Sequence, residues 1–130
     1  MDFLERLKEY TESLNFTPSV VSIGLYNESG NSVAIRPAPS NVSDRDFEKG
    51  KSYNFSFQVL VHHKDNLFAY KMMDQLFHEY ENLEKGAITS SDGSFNLVTV
   101  ECTTTPSFIQ KTSFGVLYTA IFNAELYLGR

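Results

Sequence analysis

The sequence predicts an α+β domain, an antiparallel β-sheet with two amphipathic helices packed on one face. Three observations predict it. The stretches 51–63 and 114–128 alternate their side chains with the period of 2 that an extended strand converts into two faces. The stretches 2–14 and 65–83 instead repeat apolar residues at intervals of three and four, which makes one apolar stripe along a helix. Successive strands are joined by short links, which favours antiparallel neighbours with the helices covering one face.

In chain order, Asp2 stands where it can cap a first helix, with Glu5 three residues on completing a capping-box pattern. Phe3, Leu7, Tyr10 and Leu14 form its stripe, and Thr17 and Pro18 end it. Val20 to Tyr26 reads as a strand, Asn27 to Asn31 as turn residues, and Ser32 to Arg36 as a return strand, so a hairpin is expected. Residues 37–50 form one long irregular loop, with two prolines and the charged run Asp44, Arg45, Asp46. Loops of that length inside a small domain are usually functional or disordered.

Lys51 to His63 follows as a long strand. Tyr53, Phe55, Phe57, Val59 and Val61 share one face, against Asn54, Ser56, Gln58 and His62, with Leu60 as the exception. Asp65 can cap a second helix whose stripe runs through Leu67, Tyr70, Met73, Leu76 or Phe77, Tyr80 and Leu83, with Gly86 as the left-handed stop. Phe95 to Thr105 is a strand ended by Pro106, and Phe108 to Gln110 a short connection. The last strand, Phe114 to Leu128, would span roughly 45–50 Å at the usual rise. Its even-numbered residues are wholly apolar, and Phe122 and Leu126 are expected to face the helices.

The chain is long enough to bury one core, and no composition break or internal repeat divides its 130 residues. Net charge is −5 and the 11 basic residues are scattered, which disfavours binding nucleic acid through its phosphates. The first ten residues lack the continuous apolar core of a signal peptide, and no stretch approaches 18 apolar residues, so no membrane span is expected. The glycosylation triplets at Asn27, Asn41 and Asn54 are accordingly read as accidental. The single cysteine, Cys102, rules out an internal disulfide and reads as a small buried hydrophobe.

Catalytic patterns are missing. His62 and His63 are adjacent on a strand and point to opposite faces, so they cannot chelate one ion together, and His78 lies on the polar side of the second helix. All three read as surface or strand-end histidines. The carboxylate pairs, Asp44 with Asp46 and Glu79 with Glu81, sit beside no nucleophile or phosphate loop. Glu81 reads as a helix-surface partner of Lys85. The expectation is therefore no enzyme, no catalytic residue, no metal and no cofactor. A ligand-binding or hydrolytic α+β domain using Thr103 to Thr105 and His62 is the competing reading from another class.

Five segments in order carry a family resemblance: the helix at residues 1–10, Val33 to Ser40, Tyr53 to Val61, Thr103 to Phe108, and Tyr118 to Tyr127. Together they resemble the minor capsid or tail-terminator proteins of long-tailed phages and prophages of Gram-positive bacteria, over nearly the whole chain. The resemblance implies a structural virion protein with a tail-terminator-like sheet and helices. Such a protein forms a ring, of six subunits in the family, that caps the tail tube, ends its elongation and joins the head. Another neck or tail-tube protein of similar fold is the near alternative. The partners implied are copies of the chain itself, the tail-tube protein and a head-completion or neck protein, with DNA only passing through the lumen. An acidic balance suits such passage, because phosphate contacts would hold the DNA. The resemblance transfers no contact residues. Exposure and placement nominate Arg36, Arg45 and Phe47 of the long loop, together with Phe108 and Ile109, as the subunit or partner interface.

Overall fold

A computed structural model describes residues 2–14, 21–38 and 52–127. In order, α1 spans Phe3–Ser13, β1 Ser22–Ile23, β2 Ser32–Pro37, β3 Ser52–His63, α2 Asn66–Glu81, β4 Asn96–Lys111 and β5 Val116–Tyr127. The five strands form one mixed sheet in the order β1-β2-β3-β5-β4. Both helices pack on the same face, so the α+β class holds. Thr17, Pro18, Arg45, Phe47 and Leu128 lie outside the described residues.

The centre of the sheet is the β3–β5 pair, antiparallel over twelve uninterrupted residue pairs from Ser52↔Tyr127 to His63↔Val116. Register matters here because a slip of one residue would turn every apolar side chain to the wrong face. The alternation read from sequence gives the observed faces. Phe57, Val59 and Val61 of β3 and Ala120, Phe122, Ala124 and Leu126 of β5 are buried beneath the helices. α1 contributes Phe3 and Leu7, and α2 contributes Ala69, Met73, Leu76 and Tyr80. Burying one large apolar side chain contributes roughly 1.5–3 kcal/mol, whereas exposed ion pairs such as Arg6–Glu9 contribute a few tenths. Packing on this face therefore dominates.

The helices are also joined by a buried polar contact. Thr11 Oγ1 donates to Leu7 O at 2.8 Å, so its single hydrogen is committed, and Tyr80 donates its phenolic hydrogen to Thr11 Oγ1 at 2.6 Å. Burial holds the Tyr80 hydroxyl well above the ordinary tyrosine range.

Several local expectations are corrected. β1 and β2 do not form a hairpin, because Ser22↔Ala34 and Ile23↔Ile35 pair in parallel. Gly24, at φ 106°, turns the chain out of β1. Tyr26 then packs on Ala34, Leu60 and Leu117 on the sheet face away from the helices, before β2 begins. The Asp2–Glu5 capping box does not form. The Asp2 carboxylate makes no cap and accepts instead from Ser90 Oγ at 2.8 Å, Ser91 N at 3.0 Å, Ser91 Oγ at 2.8 Å and Ser94 Oγ at 3.3 Å. Asp65, by contrast, caps α2 as expected, accepting from Leu67 N and Phe68 N.

The α2 stripe sits one residue off the expected one at its start. Ala69 is buried, while Leu67 and Tyr70 are exposed. The helix ends at Glu81, and Gly86 takes its left-handed φ of 80° in the turn beyond. Glu81 does not serve Lys85; its Oε2 accepts from Cys102 N at 2.6 Å. Cys102 is half-buried against the core, and burial first, then Glu81, pushes its thiol up. β4 continues through Pro106 to Lys111, which an edge strand tolerates because a missing N–H facing outward costs no ladder bond. Register shifts flank this point, between Thr104 and Ser107 and again between Phe108 and Gln110. Phe108 and Ile109 are therefore strand residues rather than a connection. Arg36 likewise lies in β2, not in the loop, and Pro37 is the last residue of that strand.

β5 begins at Val116 because Gly115 is a close backbone crossing. A Cβ there would lie 2.1 Å from His63 O and 2.6 Å from Lys64 Cα. Gly115→Ala is expected to lower stability by on the order of 2–3 kcal/mol, read from the urea midpoint at unchanged m-value. Acid will also weaken the fold. Hydrogen bonds led by the Ser91 N–H and hydroxyl hold the Asp2 carboxyl below the ordinary range, and Asp92 is held down likewise by the Ser90 hydroxyl, which can point to either carboxylate, and by Ser94. A depressed carboxyl stabilises the fold above its unfolded value, and that contribution is lost as pH falls below about 4. Asp2→Asn should therefore be less stable at pH 7 and show a shallower loss from pH 5 to 2 in thermal melts.

Candidate assembly surface

The far end of the sheet, where β3 runs out and β5 begins, gathers most of the exposed apolar side chains. α2 starts there because Asp65 caps it directly after β3, which sets Leu67, Phe68 and Tyr70 of the first turns beside the β5 strand start. Tyr118 of β5 stands between them and β4. Its ring lies 6.2 Å from Tyr70 and 5.7 Å from Phe108, the latter edge-on, and its hydroxyl donates to Asn66 Oδ1 at 2.9 Å. Phe68 packs on His63 at 5.7 Å. Phe108 is 51% exposed and Ile109 42% exposed, although each could have been buried had β4 lain inside the sheet. The result is an aromatic surface shared by α2, β5 and β4.

The nominated interface residues fall into three groups. Phe108 is on this surface, against Tyr118, and Ile109 is the exposed residue next to it along β4. Arg36 is half-buried on the opposite sheet face, where its Nε donates to Gln58 Oε1 at 2.9 Å and Gln58 Nε2 donates to Thr119 Oγ1 at 2.9 Å. It belongs to a polar row across β2, β3 and β5, continued by Asn123 Nδ2 donating to Asn54 Oδ1 at 3.2 Å. Arg45 and Phe47 lie outside the described residues. The sequence reading missed Leu67, Phe68 and Tyr70. A signal was present, since α2 opens with more large apolar residues than one stripe can bury.

His62, read as a surface or strand-end histidine, does stand at the end of β3 but is fully buried there. Its Nδ1 lies 2.9 Å from Asn27 O and 3.1 Å from Gly30 O, and both are carbonyls, so Nδ1 carries a hydrogen. Nε2 lies 2.8 Å from Thr112 Oγ1, while Tyr26 and Phe114 pack on the ring at 4.9 and 5.3 Å. The imidazole thus ties the β1–β2 connection to the β4–β5 turn. A shallow recess of about 250 Å³ beside it is lined by Tyr26, Glu28, Gln110, Thr112 and Ser113. Both ring nitrogens are occupied, so His62 is a structural tie rather than a general base.

The competing ligand site does not come together. His62 pairs with Leu117, whereas Thr104 pairs with Ile121, four residues or roughly 13 Å further along β5. Thr103 Oγ1 donates to Ile121 O at 3.2 Å. Among the described residues no three His, Cys, Asp or Glu side chains converge on a point that could hold a metal ion.

A family model described as bacteriophage tail terminator protein matches residues 11–126. A search of curated proteins finds no match.

Truncating the exposed aromatic surface should spare the fold. Phe108→Ala and Ile109→Ala are expected to change stability by no more than about 1 kcal/mol. His62→Leu, which removes the hydrogen bonds by which the buried imidazole ties Asn27 and Gly30 to Thr112, should cost roughly 1–3 kcal/mol in the same denaturation assay.

Proposed function

The chain belongs to the bacteriophage tail terminator family, and from that premise we propose that it closes a ring on the end of the tail tube. The ring ends tube elongation and offers the surface to which the DNA-filled head is joined. The protein itself is a structural component of the phage tail. The observation that carries the proposal is the family match across residues 11–126, which takes in α2, β1 to β4 and all of β5 but Tyr127.

The geometry agrees with an assembly role. A closed ring is built from heterologous contacts, in which one patch of a subunit meets a different patch of the next. The aromatic surface around Phe108, Tyr118 and Tyr70 lies at one edge of the sheet, and the exposed Ile23 and Leu25 lie at the other. The partners on this reading are further copies of the chain, six to a ring, together with the tail-tube protein and a head-completion protein. DNA passes through the lumen without being held, in keeping with a net charge of −5.

Deleting the gene from the parent phage and imaging the lysate by electron microscopy tests this reading. Overlong tails unattached to filled heads are expected. Tails of normal length that fail to join heads would assign the chain to the neck instead, and normal virions would defeat the proposal.

A further inference from the structure

The sheet has two outer edges, and at each a glutamate from a helix accepts from a backbone N–H. Beside β1, Val21 N–H donates to Glu12 Oε2 of α1 at 2.8 Å. On β4, Cys102 N–H donates at 2.6 Å to Oε2 of Glu81, the last residue of α2. An unpaired edge is a template on which another chain can pair, and a charged side chain placed there is one way folds prevent it.

Glu81 meets β4 where the strand is most regular. Four register shifts interrupt the pairing of β4 with β5, and the longest unbroken run is the four residues from Thr99 to Cys102. Before that run the chain covers its own edge, since Gly86 N–H donates to Leu97 O at 3.0 Å and Thr89 bridges Asn96. After it, Pro106 lacks a donor and three of the shifts break the ladder. Within a regular antiparallel run, the backbone groups of alternate residues face the same side. Cys102 N–H faces outward, to Glu81, so the N–H and C=O of Val100 face outward as well. A strand arriving from outside would bond Val100 and Cys102 together, and Glu81 already holds the Cys102 N–H.

We propose that Glu81 is a latch that keeps the regular part of the β4 edge, Thr99 to Cys102, from pairing with a second copy of this chain. In a solution of the pure protein, every strand that could arrive there belongs to another copy. With the latch closed, an incoming strand meets a carboxylate where it needs a donor. With the acceptor removed, Val100 and Cys102 present an uninterrupted pair of outward positions, and main-chain hydrogen bonds to a second copy become available. The latch is independent of the ring proposed above.

The test is residue-resolved hydrogen–deuterium exchange on the purified full chain, dilute and concentrated, in the parent, Glu81→Ala and Glu81→Gln. In Glu81→Ala the amides of Val100 and Cys102 should exchange about tenfold more slowly in the concentrated sample, because they pair between copies. The parent should show no such difference. Glu81→Gln should behave as the parent, since its amide oxygen can accept the same N–H. Slowing with concentration at these two amides in the parent, its absence in a folded Glu81→Ala, or equal slowing in Glu81→Gln would each overturn the inference. Should Glu81→Ala fail to fold, Glu81→Asp supplies a second readout. Its carboxylate is one methylene shorter and falls short of Cys102 N–H, so the same slowing is expected and its absence would overturn the inference.

Discussion

The stack of Phe57 on Phe122 is the contact on which the rest of the structure depends. Their rings lie 5.3 Å apart and nearly parallel, joining the two central strands. Tyr80 of α2 meets both edge-on, at 5.7 and 5.2 Å, and Phe3 of α1 tilts against Phe57 at 5.9 Å. Four elements therefore converge on one aromatic cluster. Geometry of this kind adds about 0.5–1.5 kcal/mol per pair to the much larger gain from burial. It also sets the β3–β5 register, because Phe57 and Phe122 are direct cross-strand partners.

The face away from the helices follows a different logic. Among the described residues, Ala34, Leu60 and Leu117 form the buried apolar cluster there, under Tyr26. The remainder is a row of amides and hydroxyls, in which Arg36, Gln58 and Thr119 satisfy one another side by side. At the end of this face His62 replaces apolar packing with hydrogen bonds to two separate loops. Polar side chains are tolerated there because they are paired, and a buried imidazole with both nitrogens bonded avoids the cost of an unmet donor or acceptor.

On the proposed ring reading, assembly and monomer stability use different surfaces. The core is sealed under the helices, and Glu12, Glu81 and the turn around Gly86 close parts of the sheet's edges, while no described element covers the outer side of β4 from Thr103 to Lys111. Phe108, Ile109, Leu67, Phe68 and Tyr70 remain outside that seal. An exposed apolar surface on a folded domain marks an interaction site more often than an accident of packing.

Much of this was legible in the chain itself. The two long strands, both helices, the Asp65 cap and the burial of Phe122 and Leu126 follow from periodicity and capping, which are local properties of neighbouring residues. Phe108 and Ile109 stood out for a related reason, since nothing nearby in sequence could cover them. Tertiary structure decided what depended on distant partners. Asp2 has the right spacing for a capping box, but Ser90, Ser91 and Ser94 offer it four hydrogen bonds from the other side of the chain. β1 looks like half of a hairpin, yet it pairs with β2 in parallel while Tyr26 of the connection packs on the far face. Pro106 reads as a strand end, yet β4 runs on because it is the edge, and His62 reads as a surface or strand-end residue until two loops close over it. A side chain's own period determines which way it points; only the folded neighbours determine what it meets there.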